Sequence, residues 1–175
     1  MTNMKDKVIL SLDQSSNLTG YSVYKNGELL SHGILSLKDI TKTSHGECAY
    51  DEKVENVKQF LIRCIEFFKP DIVAIEDIQR QSNVKTFKDL AYLQGVIKNY
   101  LYINKIPFVV LSPSMWRGEL KIKGRKREDV KRNAQLFVKD KFNIEVTEDE
   151  ADAICISIAS HNMLEKDKIE INREY

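Results

Sequence analysis

The stretch SLDQSSNLTGYSVYKNGEL, residues 11–29, decides how this chain folds. Asp13 closes the apolar run Val8-Ile9-Leu10-Ser11-Leu12, small polar residues follow, and a second strand-like segment begins at Thr19. Ionised carboxylates are costly to bury unless paired or bound to a cation. A carboxylate at the end of a buried strand therefore either caps a turn or belongs to a site. Residues 7–13 read as one strand and 19–25 as the next, and Asn26-Gly27 supplies the positive φ angles of a tight hairpin into a third strand over 28–37. Three antiparallel strands thus open the fold.

Downstream, the periodicity changes. Tyr50, Val54, Val57, Leu61, Ile65 and Phe68 fall at helical spacing, Cys64 lies beside that stripe, and Lys69-Pro70 ends it. DIVAIED, 71–77, is a continuous apolar strand that again ends in carboxylates. Helix is predicted over 86–103, 126–142 and 148–164, and a strand over 106–112. Strands alternating with helices after an opening meander predict an α/β fold, a mixed sheet with helices on both faces. In the helix at 86–103, the stripe Phe87, Leu90, Leu93, Ile97, Tyr100 and Leu101 reads as core, with Tyr92 and Tyr102 off it.

A length of 175 residues suits one domain, read as 1–165, with a charged tail over 166–175 expected to fray. No stretch approaches the ~20 apolar residues of a membrane span and no signal peptide is evident, which predicts a cytoplasmic protein. Cys48, Cys64 and Cys155 are odd in number and far apart, so neither a disulfide framework nor a zinc site is indicated. The net charge of +1 hides a basic run, KIKGRKREDVKR at 121–132, with seven Lys or Arg against Glu128 and Asp129. Such a run is either a solvated helix face or a contact for a polyanion.

Four carboxylates stand out. Glu76 directly follows Val73-Ala74-Ile75, where an unpartnered glutamate is rare. Thr147-x-x-Glu150 forms a capping box, with Asp149 favoured by the helix dipole. Capping does not account for Asp152, which lies three residues after Asp149 on the same helix face. If the strands of Asp13 and Glu76 are parallel neighbours, their ends lie side by side, where ligands bind in such sheets. Four carboxylates brought together repel one another unless cations sit among them, and oxygen ligands without His or Cys select Mg²⁺ or Mn²⁺. Two such ions suit in-line displacement at a phosphodiester.

The pieces together resemble the RuvC-type Holliday junction resolvases. ILSLDQSSNLTGYSV resembles their opening strand and hairpin, VAIED their glutamate strand, and LAYLQGV the following helix. LSPSMWRGEL…GRKREDVKRNAQ resembles their proline-led loop and basic turn, and DEADAICISIA their closing helix. The resemblance runs in order over nearly the whole chain. It implies a ribonuclease H-like fold with a five-stranded mixed sheet. It also implies catalytic, metal-binding carboxylates at Asp13, Glu76, Asp149 and Asp152, and two Mg²⁺ ions with Mn²⁺ as substitute. On this resemblance Asp13 would bridge both ions, Asp152 and Glu76 would complete one each, and Asp149 would help to bind the second or position the water. The substrate implied is branched DNA: Holliday junctions, with flaps, forks and three-way junctions as further candidates. Lys121, Lys123, Arg125, Lys126 and Arg127 would meet backbone phosphates, with Arg80, Lys85 and Lys88 as a second strip. Symmetric cutting of a four-way junction needs two sites related by a two-fold axis, hence a homodimer.

Two departures stand against the family pattern: Gln79 occupies the place of an aromatic, and Gln14 follows Asp13 where proline or glycine is usual. The short, divergent chain looks like a phage-encoded member, acting in the host cytoplasm. The alternatives are a ribonuclease H acting on RNA–DNA hybrids, which shares the acids, a non-catalytic branched-DNA binder, which would be expected to lose them, and an actin-like ATPase, which needs a second domain.

Overall fold

The computed structural model describes residues 4, 6–40, 49–79 and 82–172; Cys48 and Arg80 lie outside the described residues. In chain order the elements are β1 (Val8–Asp13), β2 (Leu18–Lys25), β3 (Glu28–Ser36), α1 (Tyr50–Phe68), β4 (Ile72–Glu76), α2 (Val84–Ile103), β5 (Phe108–Leu111), α3 (Pro113–Glu119), α4 (Arg127–Phe142) and α5 (Glu148–Glu165). The sheet runs β3-β2-β1-β4-β5. β1 to β3 form the expected antiparallel meander, and β4 and β5 add in parallel on the other side of β1. Asn26 and Gly27 turn the β2–β3 hairpin with φ of 44° and 94°, the left-handed region that an Asn-Gly pair tolerates.

Both faces of the sheet are covered, which is why its strands read as apolar runs. Ile9, Tyr24, Ile72, Ala74, Val109 and Leu111 face α3, α4 and α5. Leu10, Leu12, Val23, Val73 and Ile75 face α1 and α2. The α1 stripe buries Val54, Val57, Leu61 and Cys64, and Lys69 ends the helix in a left-handed conformation before Pro70. α5 is buried on nearly every side from Ala151 to Leu164 and forms the centre of the second layer. Residues beyond α5 return to the sheet: Asn172 bridges Phe108 of β5, and Lys166 and Lys168 pair with Glu119.

Three local expectations are corrected. α2 begins at Val84 rather than 86, because the Asn83 side chain accepts from the backbone N–H groups of Lys85 and Thr86. Phe87, expected in the core, is 37% exposed on that first turn, whereas Leu93, Ile97 and Leu101 are buried. The seven-residue helix α3 was not anticipated, being too short to show a period, although Ser112 caps it and Pro113 occupies its first turn.

Candidate active site

Asp13 ends β1 opposite Gly20 of β2, in the turn that follows the strand. That turn is built by its small polar residues: Thr19 Oγ1 accepts from Ser15 N–H and donates to the Ser15 carbonyl, while Ser15 Oγ accepts from the N–H groups of Asn17 and Leu18. Gly20 is there for space. A Cβ at this position would stand 2.1 Å from the carbonyl oxygen of Asp149. The first turn of α5 therefore rests directly on the strand beside Asp13. Serines fasten this approach: Ser11 Oγ donates to the Ala153 carbonyl (2.6 Å) and pairs with Ser22 Oγ (2.7 Å), which in turn reaches Ser157 Oγ (2.9 Å).

At the start of α5 the capping box forms as expected. Thr147 Oγ1 accepts from Glu150 N–H, and Glu150 Oε2 accepts from Thr147 N–H. Glu150 also meets His32 Nδ1 at 2.9 Å and is thereby committed to structure. Asp149 is half-buried and Asp152 almost fully buried, 2% exposed. Asp152 Oδ2 pairs with Lys131 Nζ from α4, and its Oδ1 is buried without a hydrogen-bond partner.

Glu76, at the end of β4, is steered from three directions. The Trp116 indole N–H donates to Oε1 at 2.9 Å, from an α3 residue that is wholly buried. The side-chain amides of Gln14 and Gln94 both donate to the Glu76 carbonyl. Gln14, the departure noted in the opening loop, thus ties the ends of β1 and β4 together. The Arg117 guanidinium lies 4.8 Å from the Trp116 ring centroid.

Charge binds these residues into one site. Burial, then Glu76 and Asp152, push the Asp13 carboxyl well above the ordinary carboxylate range; Lys131 opposes this and Asp149 adds to it. Glu76 is raised by burial and by Asp152, against the Trp116 hydrogen bond, Arg117 and Lys131. Asp152 is raised by burial and Asp149, against Lys131 and Arg117. Asp13 is therefore within electrostatic reach of the other three acids expected from the sequence, and Asp152 within reach of Glu76 and Asp149. Among the described residues no three acidic, His or Cys side chains converge closely enough to hold an ion as they stand, and Lys131 occupies one oxygen of Asp152. The all-oxygen donor set and the unpartnered Asp152 Oδ1 fit a hard divalent cation.

Lys121, Lys123, Arg125 and Lys126 are exposed on the α3–α4 connection, Arg127 on the first residue of α4, and Lys85 on the first turn of α2. Lys131 and Trp116 were missed as site residues. Lys131 was hidden in a basic run where every cation reads alike, and Trp116 in a helix too short to see. The signal for Trp116 was its being the single tryptophan, in a segment directly after a strand. Among the described residues no helix is long and apolar enough to cross a membrane.

The family profile described as crossover junction endodeoxyribonuclease RuvC matches residues 9–161. Relatives of that name from Hydrogenovibrio crunogenus and Thermomicrobium roseum are 23% and 26% identical over 154 and 153 residues. Those alignments cover 85% and 86% of this chain and 83% and 90% of the relatives. Among solved structures, T. thermophilus RuvC in complex with Holliday junction substrate aligns with a TM-score of 0.74 at 16% identity, over 94% of this chain and 99% of that one. Fowlpox virus resolvase, solved with its substrate Holliday junction DNA, gives 0.57 at 16%, over 90% and 98%. At these identities the structural likeness concerns the fold, a five-stranded mixed sheet flanked by helices in the ribonuclease H-like manner.

Proposed function

Because this chain belongs to the RuvC family of crossover junction endodeoxyribonucleases, we propose that it resolves Holliday junctions by metal-assisted hydrolysis at the acidic centre. What supports this reading is the electrostatic coupling of Asp13, at the end of β1, to Glu76 at the end of β4 and to Asp149 and Asp152 at the start of α5. These four would hold divalent metal, Mg²⁺ with Mn²⁺ as substitute. Such ions, when bound, acidify a water to near neutrality and offset charge on the leaving oxygen. The chain's own contribution is placement: Trp116 orients Glu76, the Gln14 and Gln94 amides fix the end of β4, and Gly20 with the serines seats α5. Lys121, Lys123, Arg125, Lys126 and Arg127 neutralise backbone phosphates next to it, which adds affinity without sequence information.

A second copy of the chain would supply the second cut. The outer face of α2 carries a groove lined by Lys58, Tyr92, Val96, Tyr100 and Ile103 and leaves Tyr92, Tyr102 and Ile103 about half or more exposed, which supports a homodimer through that helix. Gln79 is exposed on the loop after β4 and offers no π-face for a base. Base–aromatic stacking is worth roughly 1–3 kcal/mol, and its lack here supports broad choice among branched substrates, flaps, forks and three-way junctions included. The reading also places the enzyme in the cytoplasm, that of a host if the gene is a phage's.

The test is a side-by-side digestion in Mg²⁺ of labelled four-way junction, three-way junction, flap, duplex and RNA–DNA hybrid. Paired nicks in the four-way junction, lost in Asp152→Asn with junction binding retained, are expected. Preferential cutting of the hybrid would replace the reading with a ribonuclease H. A four-way preference above about a hundredfold, roughly 2.7 kcal/mol at the transition state, would remove the argument from Gln79.

A further inference from the structure

The acidic centre contains a cation of its own. Lys131 sits in the second turn of α4 and reaches across to α5, its side chain 12% exposed and that of Asp152 3%. The other cations of the basic run from Lys121 to Arg127 are exposed, so this lysine is set apart by its position on the helix rather than by composition. It takes one carboxylate oxygen of Asp152 and leaves the other buried without a partner. In the metal-free protein Lys131 is thus an internal positive charge that pairs with Asp152 and acts on Asp13, Glu76 and Asp149 as well.

We propose that Lys131 is a tethered counter-ion that competes with divalent metal for Asp152: it stabilises the acidic centre without metal and must leave Oδ2 when metal binds. The proposal rests on the reading of Asp152 as a metal ligand. Its physical basis is charge balance. One ammonium partly offsets four carboxylates, but beside divalent cations it becomes a surplus positive charge and is expelled. Metal entry therefore requires breaking a nearly buried ion pair, which makes affinity weaker than the acids alone would give. The released ammonium stays attached beside the centre, where the next anion to arrive is a DNA phosphate.

Calorimetric titration of Mn²⁺ into the DNA-free protein tests this. Lys131→Met is expected to bind Mn²⁺ at least about fivefold more tightly than wild type, the lower end of an ordinary coupling between two ligands. It is also expected to melt lower in EDTA and to recover at saturating Mn²⁺. Equal or weaker Mn²⁺ binding by Lys131→Met overturns the proposal. The wild-type protein gives a check that needs no variant: the Lys131 ammonium should give a slowly exchanging proton NMR signal in EDTA that is lost on adding Mg²⁺. A signal indifferent to Mg²⁺ overturns it equally. Asp152→Asn separates the two readings. If it binds Mn²⁺ as wild type does, the metal-site reading itself fails. If it loses Mn²⁺ while Lys131→Met is unchanged, only the counter-ion role falls.

Discussion

Gly20→Ala probes the site without touching an acid. The added Cβ would stand 2.1 Å from the Asp149 carbonyl oxygen and 2.6 Å from its carbonyl carbon, both backbone atoms with no rotamer to change. Ordinary contact begins at 3.4 Å, so the start of α5 must retreat by roughly 1.3 Å. Overpacking of this kind costs about 1–3 kcal/mol. At ~2–4 °C per kcal/mol for a chain of this size, melting should fall by a few degrees to about ten. The larger effect is on catalysis. Asp149 and Asp152 ride on that turn, and a displacement of about 1 Å at a reacting centre can cost ~10²-fold. Single-turnover cleavage of a four-way junction, with melting and junction affinity measured on the same preparation, reads all three. The expected outcome is a ~10²-fold slower cut, near-normal binding and a lowered melting temperature. Gly118→Ala is the control, because nothing lies within 4 Å of a Cβ there. It should cut normally and melt at or slightly above wild type. A Gly20→Ala protein that cuts at the wild-type rate would refute the argument that the β2–α5 approach sets the spacing of the acids.

Three further outcomes follow from the site. Burial and the neighbouring acids raise Asp13 above its usual 3.8. A carboxyl raised on folding contributes most below its unfolded pKa and loses that contribution as pH rises through the folded one. In EDTA, therefore, Asp13→Asn should match wild type in melting temperature near pH 4 and exceed it increasingly toward pH 8, by a few degrees; a difference that does not grow with pH would contradict this. Trp116→Phe keeps a buried aromatic ring but removes the donor to Glu76. Because hydrogen bonds to charged groups are worth about 1.5–3 kcal/mol, Mg²⁺-dependent cutting should drop at least roughly tenfold, and an unchanged rate would show that Glu76 is held by its backbone alone. Changing Arg125, Lys126 and Arg127 together to Ala should weaken binding to all branched DNAs alike and flatten the log-affinity against log-salt slope by up to ~2–3; an unaltered slope would make the run a solvated surface.

Much of this was legible because the relevant signals are local. Asp13 and Glu76 interrupt apolar runs at strand ends, and Thr147-x-x-Glu150 marks the start of α5 within four residues. Their forming one site was made conditional on β1 and β4 being parallel neighbours, and the structure meets that condition in the register Leu12 to Ile75. What was not legible depends on contacts between distant segments. Lys131 lies one turn beyond Arg127 on the same side of α4, and it is Lys131 that reaches Asp152 of α5; the indole of Trp116 reaches Glu76 across 40 residues of sequence. Phe87 shows the opposite failure: its spacing with Leu90 fits a buried stripe, but it stands on the exposed first turn of α2, which buries Leu93, Ile97 and Leu101 further along. Asp152 is the partner of Lys131, so neutralising it would break an ion pair; Asp13, which has no ion pair among the described residues, is the residue whose neutralisation gives relief.

The serines beneath α5 have a kinematic consequence. Ala153's carbonyl is held by Ser11 from β1 and the Ser157 hydroxyl by Ser22 from β2, so the helix can neither slide nor roll on the sheet without breaking bonds to both strands. Asp13, Asp149 and Asp152 consequently fluctuate in common mode: thermal motion carries them together and leaves their separations nearly constant. Glu76 shares the sheet through its backbone, but its carboxylate answers to α3, and Lys131 hangs from α4 on a flexible four-carbon stem. Adjustment to an arriving cation or a changing phosphate therefore falls to these two side chains, which work against a frame of three acids that does not yield.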